Sequence, residues 1–140
     1  MANKKGATKR KATGKSRKSA GSTRAGKAII GLTEKVTIIS GKTKKAIAAK
    51  VDTGATRSSI DSRLAGELKL GPVLKTVLVK SANGKTIRPV VKAKVRIGRK
   101  TVTSEFTLAD RRHMKYKVLI GKRILEKGFL IDPAKNKVVR

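Results

Sequence analysis

The 140 residues suffice for one domain with a modest core. Lys and Arg total 37 against 8 acids, a formal charge of +29 that exceeds what solubility needs and points to a polyanionic partner, nucleic acid first. With no Cys and one His, disulfide scaffolds, thiolate zinc sites and Cys nucleophiles are excluded, and no apolar run approaches the ~20 residues that span a bilayer, so a cytoplasmic chain with no metal, no cofactor and no membrane partner is expected.

The charge is uneven along the chain. Residues 1–33 hold ten bases and no acid, a net +10, and the remainder carries +19. Up to Lys27 no large apolar residue follows Met1, so nothing offsets the entropy of ordering. Composition therefore divides the chain into a basic extension over 1–31, disordered when free, and a β domain over 32–140. In the extension Lys4, Lys5, Lys9, Arg10, Lys11, Lys15, Arg17, Lys18, Arg24 and Lys27 suit an arm that orders along phosphates. The stretch from Gly21 to Ala28 imitates a phosphate-binding loop, but Ala28 lacks the hydroxyl that would hold Mg²⁺, which excludes nucleotide hydrolysis.

Strands dominate from Glu34 onward. Val36 to Ile39 and Ala46 to Val51 flank Ser40-Gly41-Lys42 and predict a hairpin. A helix is expected over Asp61 to Leu68, capped by Asp61. Val77 to Lys80 and Thr86 to Ile97 flank Asn83-Gly84, a strong two-residue hairpin signal, with Pro89 at an edge or bulge. Along the second arm Val91, Ala93, Val95 and Ile97 alternate with Lys92, Lys94 and Arg96, so one face is apolar and the other is a candidate phosphate platform. Gly98-Arg99 turns the chain into Val102 to Leu108, Val118 to Ile120 reads as a buried strand, and a second helix spans Lys122 to Lys127, ended by Gly128. The expected fold is mainly β: a small closed or rolled antiparallel barrel with one or two short helices.

One segment carries chemistry. Asp52-Thr53-Gly54 follows the strand ending at Val51, and a carboxylate just past a buried strand, with Gly two residues on, is held rigidly at a tight turn. Downstream, Lys117 to Leu125 reads as strand, Gly and helix. Together with the flap-like Ser81 to Pro89 and the run from Asp110 to Gly121, these residues resemble the retropepsin-like aspartic peptidases, and most closely the small bacterial and archaeal family labelled ATP-dependent zinc protease, whose genes neighbour ligases that modify ribosomal proteins. The resemblance covers about residues 34 to 133 and implies that Asp52 is the catalytic carboxylate, that Thr53 hydrogen-bonds across a dimer beneath it, and that Gly54 leaves room for substrate. The motif occurs once, so that chemistry requires a homodimer to supply a second carboxylate. The zinc in the label has no ligand set in this composition.

Two readings follow. On charge, the chain is an RNA-binding, ribosome-associated protein that contacts structured rRNA and neighbouring ribosomal proteins through its extension and basic strand faces, its aromatics Phe106, Tyr116 and Phe129 serving the core rather than base stacking. On motif, it is a homodimeric aspartic peptidase. His113, among cations on a loop, takes no role in either.

Overall fold

The computed structural model describes residues 23–136 apart from Asn83. Its strands are β1 (Thr23–Arg24), β2 (Lys27–Ile30), β3 (Thr33–Ser40), β4 (Thr43–Val51), β5 (Ser58–Asp61), β6 (Lys75–Ser81), β7 (Gly84–Ile97), β8 (Lys100–Ala109), β9 (Val118–Ile120) and β10 (Phe129–Ile131). Two short helices, α1 (Ser62–Glu67) and α2 (Lys122–Leu125), follow β5 and β9. Turn chemistry sets the hairpins: Gly41 and Gly98 adopt φ of +57° and +64° between β3 and β4 and between β7 and β8, a region closed to most side chains.

Six strands close on themselves in the order β3–β4–β9–β5–β8–β7, the ring being completed by β7 against β3, and β6 extends the sheet beyond β7. The mainly β barrel is thus as the alternating pattern predicts, with one change. Two neighbour pairs in the ring, β4 with β9 and β5 with β8, are parallel. Parallel pairing needs a long crossover rather than a tight turn, so hairpin signals cannot announce it. The alternation along β7 points Val91, Ala93, Val95 and Ile97 inward and leaves Lys92, Lys94 and Arg96 exposed. Inside the ring these meet Val36, Ile38, Ile60, Phe106, Val118 and Ile120. Pro89 stands one residue before β7 begins to pair with β8 at Val90, so its missing N–H interrupts no ladder on that side.

A second sheet, β10–β2–β1, sits beside the ring. Composition assigns residues up to 31 to the extension, but Ala28 and Ile30 are buried in the core and β2 lies parallel to β10 in the register Ala28 to Phe129. Among the described residues, regular structure thus includes part of the stretch that charge assigns to the extension. The apolar triplet Ala28-Ile29-Ile30 offers enough burial to outweigh the neighbouring cations. Lys4, Lys5, Lys9, Arg10, Lys11, Lys15, Arg17 and Lys18 lie outside the described residues. The Glu34 carboxylate ties the two sheets together, accepting from Gly31 N (2.7 Å), Lys135 Nζ (3.0 Å) and Asn136 Nδ2 (2.9 Å).

Phe106 is wholly buried. Phe106→Ala should cost about 3–5 kcal/mol, read in urea as a lower midpoint at an unchanged m-value.

Candidate functional site

Asp52 leaves β4 where the barrel is most tightly constrained. β9 is inserted between β4 and β5, with Ile120 beside Val51 and Leu119 beside Ser59, and the Asp52 N–H donates to the Ile120 carbonyl (2.9 Å). The carboxylate is then turned back on its own loop, Oδ1 accepting from Gly54 N at 2.8 Å. A Cβ at Gly54 would stand 3.2 Å from that oxygen, so glycine keeps the turn close to the acid. Thr53 is exposed and its hydroxyl has no hydrogen-bond partner among the described residues.

The loop is bolted to α2. Gly121 packs so closely that a Cβ would lie 2.6 Å from the Arg57 carbonyl and 2.9 Å from that of Ala55. Gly121 N donates to Ser58 Oγ (2.9 Å), Lys122 N to the Ala55 carbonyl (2.8 Å) and Arg123 N to the Thr56 carbonyl (3.1 Å). The first donors of α2, which no side chain caps, are satisfied by the loop that carries Asp52.

A cleft of about 680 Å³ opens above Asp52. It is lined by Asp52, Gly54 and Ala55 from the loop after β4, by Ala109, Asp110 and Arg111 at the end of β8, and by Leu78, Val79, Lys80 and Arg88 from the β6–β7 hairpin. This hairpin stands free of β8 beyond Val90 and matches the flap implied by the sequence, its tip residue Asn83 lying outside the described residues. Leu78 and Ile87 are cross-strand partners, 56% and 69% exposed, so the flap presents apolar surface to solvent.

Four cations line the cleft, Arg57, Lys80, Arg88 and Arg111. Sequence reading missed all four as site residues. Arg111 is the most constrained: it is 9% exposed, Nε donates to the Tyr116 carbonyl (3.0 Å), and its backbone N–H donates to Asp61 Oδ1 (2.7 Å). Burial pushes its pKa down, as does Arg88, while Asp61 and Asp52 push it up. Asp61 itself is buried, and its other oxygen accepts from Leu64 N as the expected helix cap. Lys75, hydrogen-bonded to Glu105, holds that carboxylate below the usual range despite partial desolvation, aided by Arg57. Thus Glu105 neutralises part of the rim but leaves Arg88 and Arg111 free of any ion pair among the described residues.

The structure therefore gathers Asp52 and Gly54 into the cleft, with Thr53 at its margin. It separates from them the predicted phosphate-binding residues: Arg24 and Lys27 are exposed on the small sheet, and Lys92, Lys94 and Arg96 on the outer barrel face. His113 is exposed on the loop after β8.

A family model described as retropepsin-like aspartic endopeptidase RimB matches residues 65–140. Asp52-Thr53-Gly54 precedes the matched stretch. Among solved structures, a Legionella pneumophila protein of unknown function is 25% identical, with a TM-score of 0.56 over 76% of this chain and 93% of that one. The EIAV protease, solved with an inhibitor, is 18% identical with a TM-score of 0.56, over 67% of this chain and 84% of its own. No curated protein matches significantly.

The close approach at Gly121 is testable. Gly121→Ala should destabilise by about 1–3 kcal/mol, because the new methyl meets backbone carbonyls. Gly66→Ala, with nothing within 4 Å of the added Cβ, serves as the control and should stabilise α1 by about 0.5–1 kcal/mol in the same thermal melt.

Proposed function

Since the chain belongs to the RimB-like family of retropepsin-like aspartic endopeptidases, we propose that it is an aspartic peptidase working as a homodimer, with Asp52 of each copy at the scissile bond. The observation that carries this reading is the Asp52 carboxylate, bonded to Gly54 N, in a cleft that the β6–β7 hairpin also lines. Charge alone ranked RNA binding first; the cleft, its flap and the family reverse that order.

The chemistry needs two carboxylates and one shared proton, because like charges about 3 Å apart cannot both ionise. One Asp52 takes a proton from water as its oxygen bonds to the scissile carbonyl carbon, and the other gives its proton to the carbonyl oxygen. Collapse of the tetrahedral intermediate then breaks the C–N bond: the departing nitrogen takes the proton that the first Asp52 received from water, and a hydroxyl of the intermediate returns one to the second as the carboxyl product forms. The exposed position of Thr53 beside the acid supports the dimer, since its hydroxyl can bond across to a second copy. Two copies bring +58 together, so association should strengthen as salt screens the repulsion.

Substrate is an acidic peptide. Lys80 and Arg88 reach it from the flap, Arg57 and Arg111 from the walls, and against these four the cleft sets only Asp52 and Asp110. Leu78 and Met114 supply apolar contact between the charges.

Asp52→Asn should lower cleavage of a library that includes Glu- and Asp-rich peptides by at least ~10³-fold, as expected when acid and base are lost together; an unchanged rate would eliminate the reading. Arg88→Gln should raise KM for acidic peptides several-fold while leaving kcat and neutral peptides little altered, and steady-state kinetics on paired substrates will show whether it does.

A further inference from the structure

Outside the cleft, one surface has charge that the peptidase reading does not use. Hydrogen bonding runs unbroken from β4 through β3 and β7 to β8. The register stacks the outward side chains in rows: Lys50 with Thr33, Ala48 with Lys35, then Ala46–Thr37–Arg96–Thr101, Lys44–Ile39–Lys94–Thr103, and Lys92 with Glu105. Rows two residues apart lie ~6.8 Å from one another and strands ~4.8 Å, which makes a face on the order of 27 by 15 Å. Lys35, Lys44, Lys50, Lys92, Lys94 and Arg96 are all exposed on it. None of the six makes an ion pair with a described residue, and none lines the cleft.

Of the eight acids, Glu126 and Asp132 lie outside these rows and the other six are committed elsewhere. Glu34 sits under Lys135, Asp61 caps α1, Glu67 faces Lys45, Asp52 and Asp110 line the cleft, and Glu105, the one acid in the rows, is held by Arg57 and Lys75. A surface so uniformly cationic repels itself and gains most from a partner that brings many negative charges at once. Protein interfaces are built around aromatic and large apolar anchors and are depleted in Lys. The large exposed apolar residues of the described chain, Leu32, Val73, Leu74, Leu78, Ile87 and Met114, all lie off these rows. Without aromatics to stack on, unpaired bases have no purchase, and without a helix to enter a major groove, base edges are not read. Cations interspersed with the hydroxyls of Thr37, Thr101 and Thr103 match a phosphate backbone. The broad, shallow minor groove of an A-form helix presents its flanking phosphates to a convex face.

We infer that the outer face of β4–β3–β7–β8 is a binding surface for double-stranded RNA, read through phosphates and shape, and separate from the peptidase cleft.

The test uses the full chain and a quadruple variant, Lys44→Gln, Lys92→Gln, Lys94→Gln and Arg96→Gln, with binding of a 20-base-pair RNA duplex followed by anisotropy across salt. The variant should keep the parental melting temperature and peptidase rate. Its affinity should fall at least tenfold, and the slope of log K against log salt should shrink by about 3, through loss of four phosphate contacts. An unchanged slope would place RNA on other cations and overturn the proposal. Equal affinity of the parent for a B-form DNA duplex of the same length would overturn the assignment to RNA, and tighter binding of a poly-glutamate chain of equal charge would assign the face to an acidic polypeptide instead. Asp52→Asn should bind RNA as the parent does, which keeps this result independent of the catalytic one.

Discussion

The site depends on how closely three stretches of backbone approach at Gly121. Insertion of β9 between β4 and β5 brings the start of α2 against the carbonyls of the loop that carries Asp52, at a distance no side chain would tolerate. The contact does two jobs. It satisfies the first N–H groups of a four-residue helix that has no side-chain cap, and it fixes a loop that would otherwise be free to move a carboxylate by an ångström or more. Burial of Val118 and Ile120 in the ring holds β9 in register, so the precision of the acid derives from the core rather than from the turn alone.

Charge is partitioned by that same barrel. Two of the four cations of the cleft are constrained: Arg111 is buried and bonded to the Tyr116 carbonyl, and Arg57 is paired with Glu105. Those of the outer face are exposed, make no ion pair with a described residue and are set at the regular pitch of a sheet. A constrained guanidinium discriminates by geometry, because it cannot follow a misplaced carboxylate; a free ammonium on a long stem attracts any nearby anion and adapts to it. The two surfaces therefore suit different ligands despite sharing one sign of charge, and the high pI says nothing of the difference.

Much of this was legible from sequence wherever the determinant is local. Gly41, Gly98 and Asn83-Gly84 announce three hairpins, alternation from Val91 to Ile97 assigns the two faces of β7, and Asp61 marks the start of α1. The Asp-Thr-Gly turn reads as a rigidly held acid and, with the strand and glycine near residue 120, resembles half of a peptidase site. What stayed hidden is long-range. β2 and β10 are four and three residues of mainly apolar character, about a hundred residues apart, and neither alternation nor a turn signals a parallel pair. Arg111 reads as one more cation among Asp110, Arg112 and Lys115; only its burial against Tyr116 and Asp61, set by tertiary packing, distinguishes it.

Closure of the ring also determines how each surface can recognise anything. β3 and β7 are paired on both sides, so the outer face offers side chains but no free backbone edge along its middle, and a polypeptide cannot extend it by strand addition. Recognition there has to be electrostatic. The unpaired edge near the cleft belongs to β6, which among the described residues bonds only to β7 and whose Leu78, Val79 and Lys80 line the cavity. An extended peptide can lie along that edge, take backbone hydrogen bonds from it and present alternate side chains to the arginines beneath. Topology thus leaves a free backbone edge only on the flap side and offers side chains alone on the closed face, a division that neither the net charge nor the sequence motif would reveal alone.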